Sequence, residues 1–351
     1  MKRRGRTKTD YSQDMALIGS TQQWVILAVF LAFMVILPHV LSWTHNLNWL
    51  TFINFTVITI IAVMGLNIIT GMAGQVSLGH AAFIMVGGYT LAILTSNAHW
   101  PFWVALIISA IITAVIGFIV AVPAIRLKGF YLAVVTLAFF FIAQYIIRSL
   151  GITGGIHGII GIPYPVVGGI KINTDINWYY LLLPVAIICI IFSANLSRSR
   201  TGRAFLAIRD NATAAASLGI NVPLTKLRAF FIGTLFAGLA GGLWASYVSV
   251  VRLDQFTIWD SIWYLGMIII GGGGSTAGVV MGVIFLRLIS QILHVISTAD
   301  WMPYLSSSIM VSLNYGVYGL VIVLFISFQP YGLISVWRKI KLNYKRWPFG
   351  A

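Results

Sequence analysis

Glutamate is absent from this 351-residue chain, and only seven aspartates supply acidity. Charged residues make up 8% of the whole, against about 25% in an average soluble domain. Most of the surface is therefore not built to face water. So few carboxylates leave no cluster for a metal site and no acid–base pair, and neither metal nor cofactor is expected. The one cysteine, Cys189, lies in an apolar run. It excludes an internal disulfide framework and a cysteine-based zinc site, and it reads as a small buried hydrophobe. No glycine-rich stretch carries the Lys-Ser/Thr of a phosphate-binding loop, so any ATP hydrolysis that drives this protein occurs on another chain.

What is present is apolar: 59% of residues are hydrophobic. A helix needs about 20 apolar residues to cross a hydrocarbon core of about 30 Å. Ten segments qualify, at 24–43, 50–70, 80–97, 102–123, 130–147, 178–196, 227–249, 258–271, 277–294 and 308–328. Backbone groups in lipid must bond internally, so the fold class is all-α, a polytopic transmembrane helix bundle. Trp24, Trp43, Trp100, Trp103, Trp178, Tyr179 and Trp337 fall near the ends of these segments, where an interfacial aromatic belt is expected. The first segment follows five basic residues but no small-residue cleavage site, which predicts an uncleaved span.

The net charge of +15 does not imply nucleic acid, because the basic residues sit between the apolar runs. If both termini are cytoplasmic and ten spans alternate, 18 of the 22 Lys/Arg fall inside. Arg148, Lys171 and Arg252 fall outside, and Arg287 falls within a span. That asymmetry is the positive-inside signal and requires an even number of spans. The chain then divides into a basic cytoplasmic tail at 1–23, a membrane domain at 24–336 and a second basic tail at 337–351. Two long loops interrupt the membrane domain, an external one at 148–177 and a cytoplasmic one at 197–226.

The cytoplasmic loop is helix-forming. Thr201 is placed to cap a helix start, the alanines favour helix, Gly219 supplies a left-handed stop and Pro223 prevents resumption. One or two short helices along the membrane face are expected. Ala214, Ala215 and Ala216 give them a narrow surface fit to enter a groove on another protein. A basic helix resting on anionic membrane lipid is the other reading.

In 65–83, Asn67, Thr70, Gln75, Ser77 and His80 are polar in an apolar neighbourhood, while Gly71, Gly74 and Gly79 break the helix. Broken backbone at membrane depth is tolerated only inside protein or along a cavity. Asn67, Thr70, Gly74, Gln75, Ser77 and His80 are therefore candidates for a translocation pathway, set against tight small-residue packing with polar glue. A second break is expected at 271–278, as a structural turn. Arg287 reads either as a charged-ligand contact or as a side chain bonded to carbonyls at a partner interface. His80 reads as a packing residue ahead of a proton relay, and Gln144 as a bond between helices.

The run Gly202-Arg203-Ala204-x-x-Ala207-Ile208-Arg209-Asp210, followed by Ala214-Ala215-Ala216 and Gly219-Ile220, resembles the cytoplasmic coupling loop of branched-chain amino-acid ABC permeases. Gly65-Leu66-Asn67, Thr70-Gly71, Gly74-Gln75 and Ser77-Leu78-Gly79-His80 resemble the early signature of that family, and 271–278 the late one. Gly129-Phe130-Tyr131-Leu132-Ala133, then Thr153-Gly154-Gly155, match as well. The likeness runs in unbroken order over about residues 45–335 and points to the subunit type with the longer external loop. Only Asp210 is acidic ahead of the alanines, where the family often carries more. The resemblance implies a non-catalytic permease subunit of a bacterial inner membrane. It implies a second homologous permease, two ABC ATPase subunits and an extracytoplasmic substrate-binding protein as partners. It also implies ATPase coupling through Arg203, Arg209, Asp210, Ala214, Ala215, Ala216 and Gly219. The expected cargo is leucine, isoleucine and valine, with urea or short amides as the alternative. A self-contained ion-coupled transporter is the rival. Such coupling usually leaves an acidic residue inside a span, whereas Asp260 sits only at a span edge and the other aspartates lie in tails or loops.

Overall fold

The computed structural model describes residues 21–43, 47–124, 129–297 and 307–346. Most of the expected tail at 1–23 lies outside these. The chain forms two compact units, Met1–Thr51 and Phe52–Ala351. The first holds α1 (Thr21–Trp43) and the opening turn of α2 (Leu47–Leu66). The second holds the rest of α2, α3 (His80–Ala92), α4 (Phe102–Ala124), α5 (Phe130–Ser149), α6 (Asp175–Arg198), α7 (Arg200–Ser217), α8 (Val222–Val248), α9 (Ile258–Gly271), α10 (Thr276–Ser297), α11 (Ser307–Phe328) and α12 (Leu333–Arg346).

Each of the ten apolar segments falls on a helix, so the mostly helical expectation holds. Length and apolarity qualify six described helices to cross a membrane: Asn48–Met72, Phe102–Pro123, Tyr131–Ser149, Asp175–Arg198, Val222–Val248 and Thr276–Leu293. The pair Gly316–Phe328 and Leu333–Asn343, bent by 48°, is a broken span or a re-entrant loop and adds a seventh if it is one span. This is a multi-pass membrane protein. The ten expected spans are more than these six or seven. Two of the others are short: α9 has 14 residues, about 21 Å of rise, and α3 has 13 before it widens into a π-helical turn at Ile93–Asn97.

The centre is built from α3, α4 and α8. Small residues let these backbones touch. A Cβ on Gly87 would come within 2.6 Å of the Gly238 backbone, and one on Gly238 within 2.8 Å of Ala110 and Thr113. Gly241 abuts the Ile84 carbonyl. Lipid tails are as apolar as leucine, so burial gives little drive for helix association in a bilayer. Close packing through glycine supplies it instead.

The loop at 148–177 departs from a purely α chain in two short ribbons. Its β1 (Ile159–Ile160) pairs antiparallel with β4 (Val250–Val251), and its β2 (Val166–Val167) pairs with β3 (Ile170–Lys171). Gly168 and Gly169 both take positive φ between β2 and β3, as a two-residue hairpin turn requires. The aromatic belt is also only partial. Trp43, Trp100, Trp103 and Trp337 are exposed, but Trp178 and Tyr179 are buried. Trp178 stands edge-on to Phe102 and Tyr247, so it cements helix ends and does not meet lipid headgroups.

Candidate functional site: a joint beneath the coupling loop

The loop at 197–226 folds as α7 with a kink at Asn211 (φ −157°, ψ 105°). It is thus two short helices, one of the two forms expected. The first is capped by Ser199, whose hydroxyl accepts from the Gly202 amide at 3.1 Å, so the cap lies two residues before the expected Thr201. Asn211 caps the second, its Oδ1 accepting from the amides of Thr213 and Ala214 at 3.0 Å each. Gly219 is the left-handed stop, at φ +84°, and the amide of Ile220 closes on the Ala215 carbonyl at 3.0 Å. Pro223 does not only block α7. It sits in the first turn of α8, a position where the missing N–H costs nothing.

The two faces of α7 are sharply different. Gly202, Phe205, Ile208 and Ala215 are buried, while Arg203, Asp210, Ala214, Ala216 and Leu218 are exposed. Leu218, at 82% exposure, was not singled out from sequence. Its signal was a large apolar residue directly before a glycine stop. The three alanines therefore do not form one surface. Ala215 packs inward, and only Ala214 and Ala216 face out. Arg203 holds the loop's own start, its guanidinium donating to the Arg198 carbonyl at 2.8 Å.

Arg209 joins the loop to the membrane domain. Its Nη1 donates to the carbonyl of Gly71 and, at 3.5 Å, to that of Gly273. Below it the two glycine-rich breaks meet each other: the Gly274 amide donates to Asn67 Oδ1 at 2.8 Å. Gly71 packs against that same Asn67–Gly274 contact, leaving no room for a Cβ. Gly74, at φ +67°, lies under the Arg209 side chain. Thr70 donates to the Gln75 carbonyl at 3.0 Å, and Gln75 reaches the Lys226 carbonyl at the start of α8 at 3.4 Å. Ser77 is fully buried, with no partner for its hydroxyl among the described residues. His80 is buried and bonds the Ala62 carbonyl at 2.9 Å, a packing contact. A cavity of about 380 Å³ opens beside the joint, lined by Leu206, Arg209, Gly272, Tyr331 and Arg338 among others.

Among the described residues no group of His, Cys, Asp or Glu could hold a metal ion. One guanidinium bridges the two glycine-rich breaks.

The chain matches the family model described as branched-chain amino acid transport system, permease component, over residues 48–326. The chain belongs to this family. The permease is 31% identical to the high-affinity branched-chain amino acid transport system permease protein LivM of Escherichia coli, over 93% of this chain and 79% of that one. It is 26% identical to the probable LivM of Methanocaldococcus jannaschii, over 66% and 67%. A shorter likeness, 31% over 34% of the permease, is to the autoinducer 2 import system permease protein LsrC of an Enterobacter species. No solved structure matches the chain. The protein is thus a permease subunit of an ABC importer.

Proposed function

We propose that this permease forms half of the translocation pathway for leucine, isoleucine and valine. A second, homologous permease completes the pathway. Two ABC ATPase subunits supply the energy, and an extracytoplasmic binding protein delivers the cargo. The subunit itself does no chemistry. It lies in a bacterial inner membrane with ten spans and both termini cytoplasmic. Ten apolar segments in the sequence support the span count, six or seven of them long and apolar enough as helices to cross alone, and the bias of 18 in 22 basic residues supports the orientation.

The observation that carries the mechanism is the Arg209 joint. Ala214, Ala216 and Leu218 form the outward face of α7 and dock on an ATPase, with Asp210 beside them. When the ATPases close on ATP, α7 moves as a lever. Arg209 passes the movement to the carbonyls of Gly71 and Gly273, hence to α2 and α10 together. Asn67, Thr70, Gly74, Gln75, Ser77 and His80 then form the inner end of the pathway, closed in the packed state and opened when the joint shifts. Two packings separated by a small free-energy gap are enough for this task.

The test is co-purification of the tagged permease from its own membrane. The expected result is recovery of a second permease and two ATPases, lost on changing Leu218 to Asp while the protein stays in the membrane. Recovery of the permease alone, active in ATP-free liposomes, would remove the proposal.

A further inference from the structure

A second site lies away from the coupling joint. Thr59 is twelve residues before Gly71 on the same helix, roughly 18 Å along it at 1.5 Å per residue. There a cavity of about 310 Å³ opens between α2, α8, α9 and α10. It contains two opposite charges. Arg287 of α10 donates from Nη2 to Thr59 Oγ1 at 2.8 Å and to the Phe55 carbonyl at 3.3 Å. Its guanidinium carbon stands 5.9 Å from the centre of the Phe55 ring. Its Nε is buried, with no partner among the described residues. Asp260 sits in the first turn of α9, where Oδ2 accepts from the amide and hydroxyl of Thr257 at 2.7 and 2.8 Å. Its Oδ1 makes no hydrogen bond among the described residues.

These two side chains line one cavity, yet no ion pair joins them among the described residues. Both residues are half-buried, and a charge within a membrane domain marks a functional site by default. Thr257 holds the carboxylate in a helix cap, while Phe55 and Thr59 hold the guanidinium on another helix. The remaining wall is aromatic and apolar: Trp244, Trp263, Tyr264, Met267 and Ile84.

We propose that this cavity is a subsite for the zwitterionic head and aliphatic side chain of an amino acid in transit. The Arg287 guanidinium in the cavity wall takes the carboxylate, a group that guanidinium satisfies in bidentate fashion. The free oxygen of Asp260 takes the ammonium, beside aromatic faces that also favour a cation. The aliphatic side chain lies against Trp263, Met267 and Ile84. The volume is at the small end for ligand sites, which run from about 300 Å³ upward. Uncharged urea and short amides would leave both ions unpaired, so the site discriminates against them. Residues 252–254 line another cavity of about 450 Å³ together with Gln144 and Arg148, and Gln255 and Phe256 line this one. Gln144 fixes that segment by donating to the Phe256 carbonyl at 3.1 Å.

This inference rests on the proposed function, and the test separates the two. The complete importer, with its ATPases and binding protein, is placed in liposomes and assayed for labelled leucine uptake. If the wild-type complex imports no leucine, the function is wrong and the subsite falls with it. If it does, Arg287→Gln and Asp260→Asn should each lower uptake at least tenfold in complexes that still assemble, and Arg287→Lys should recover part. Wild-type uptake by both variants overturns the subsite and leaves the function standing. Should these variants not assemble, a second measurement decides. In a Cys189→Ala background, Trp263→Cys is labelled with a methanethiosulfonate reagent. Millimolar leucine should slow the labelling, and isoamylamine, which lacks the carboxylate, should not. Equal rates with and without leucine overturn the proposal.

Discussion

The Arg209 guanidinium donates to the carbonyl of Gly71, 138 residues earlier in the chain. The same nitrogen also reaches Gly273, 64 residues later. A single side chain of the coupling loop thus ties together two interruptions of membrane helices. A hydrogen bond to a charged group contributes about 1.5–3 kcal/mol, and this one is partly exposed, so the lower figure applies. Arg209→Ala should shift the coupled state by about tenfold. In liposomes the expected outcome is ATP hydrolysis with about a tenth of the leucine uptake per ATP. Unchanged stoichiometry would show that the joint carries no force.

The alanines can be separated by where they point. Ala215 is 2% exposed, and a tryptophan there overpacks the loop at a cost of about 1–3 kcal/mol. Ala214→Trp and Ala216→Trp alter only the outward face. The expected pattern is a lowered melting temperature for Ala215→Trp alone, with loss of ATPase co-purification in all three. Equal melting temperatures for the three variants would contradict the buried placement.

Gly219 and Asn211 set the shape of the loop. Gly219→Ala forces a side chain into the left-handed region at φ +84°, a strain of about 1–2 kcal/mol. Asn211→Ala removes a cap contributing about 1 kcal/mol. Both should speed proteolysis within 200–220 while leaving the membrane helices protected. Proteolysis at the wild-type rate would show that the loop does not depend on these stops.

Glycines in the helices should behave in two classes. Gly241→Leu collides with the Ile84 carbonyl on α3, and the protein should not survive detergent extraction as a monodisperse species. A Cβ on Gly316 or Gly319 would meet nothing within 4 Å among the described residues. Alanine at either position should be neutral or raise stability by about 0.5–1 kcal/mol. Size-exclusion profiles of heated samples check both.

Topology is testable with the native thiol out of the way, since Cys189 is buried. Lys171→Cys should react with an impermeant maleimide added outside intact cells, and Arg203→Cys only after lysis. Labelling of both from outside would defeat the ten-span arrangement.

The sequence alone determined much of this protein. Ten apolar segments, their lengths and the basic bias followed from local composition, because the bilayer imposes one requirement on every span. The left-handed stop at Gly219 was legible too, since that conformation is a property of one residue. Ser199 and not Thr201 as the cap was a local competition that neither residue type decides. Tertiary structure decided everything that depends on two distant segments sharing space. That Ala215 faces inward, that Trp178 is core and not belt, and that Arg209 finds Gly71 and Gly273 are consequences of how α7 lies on the bundle. Arg287 and Asp260 were each visible as single residues. Only the packing of α9 and α10 against α2 puts them in one cavity, because the two residues lie on different helices.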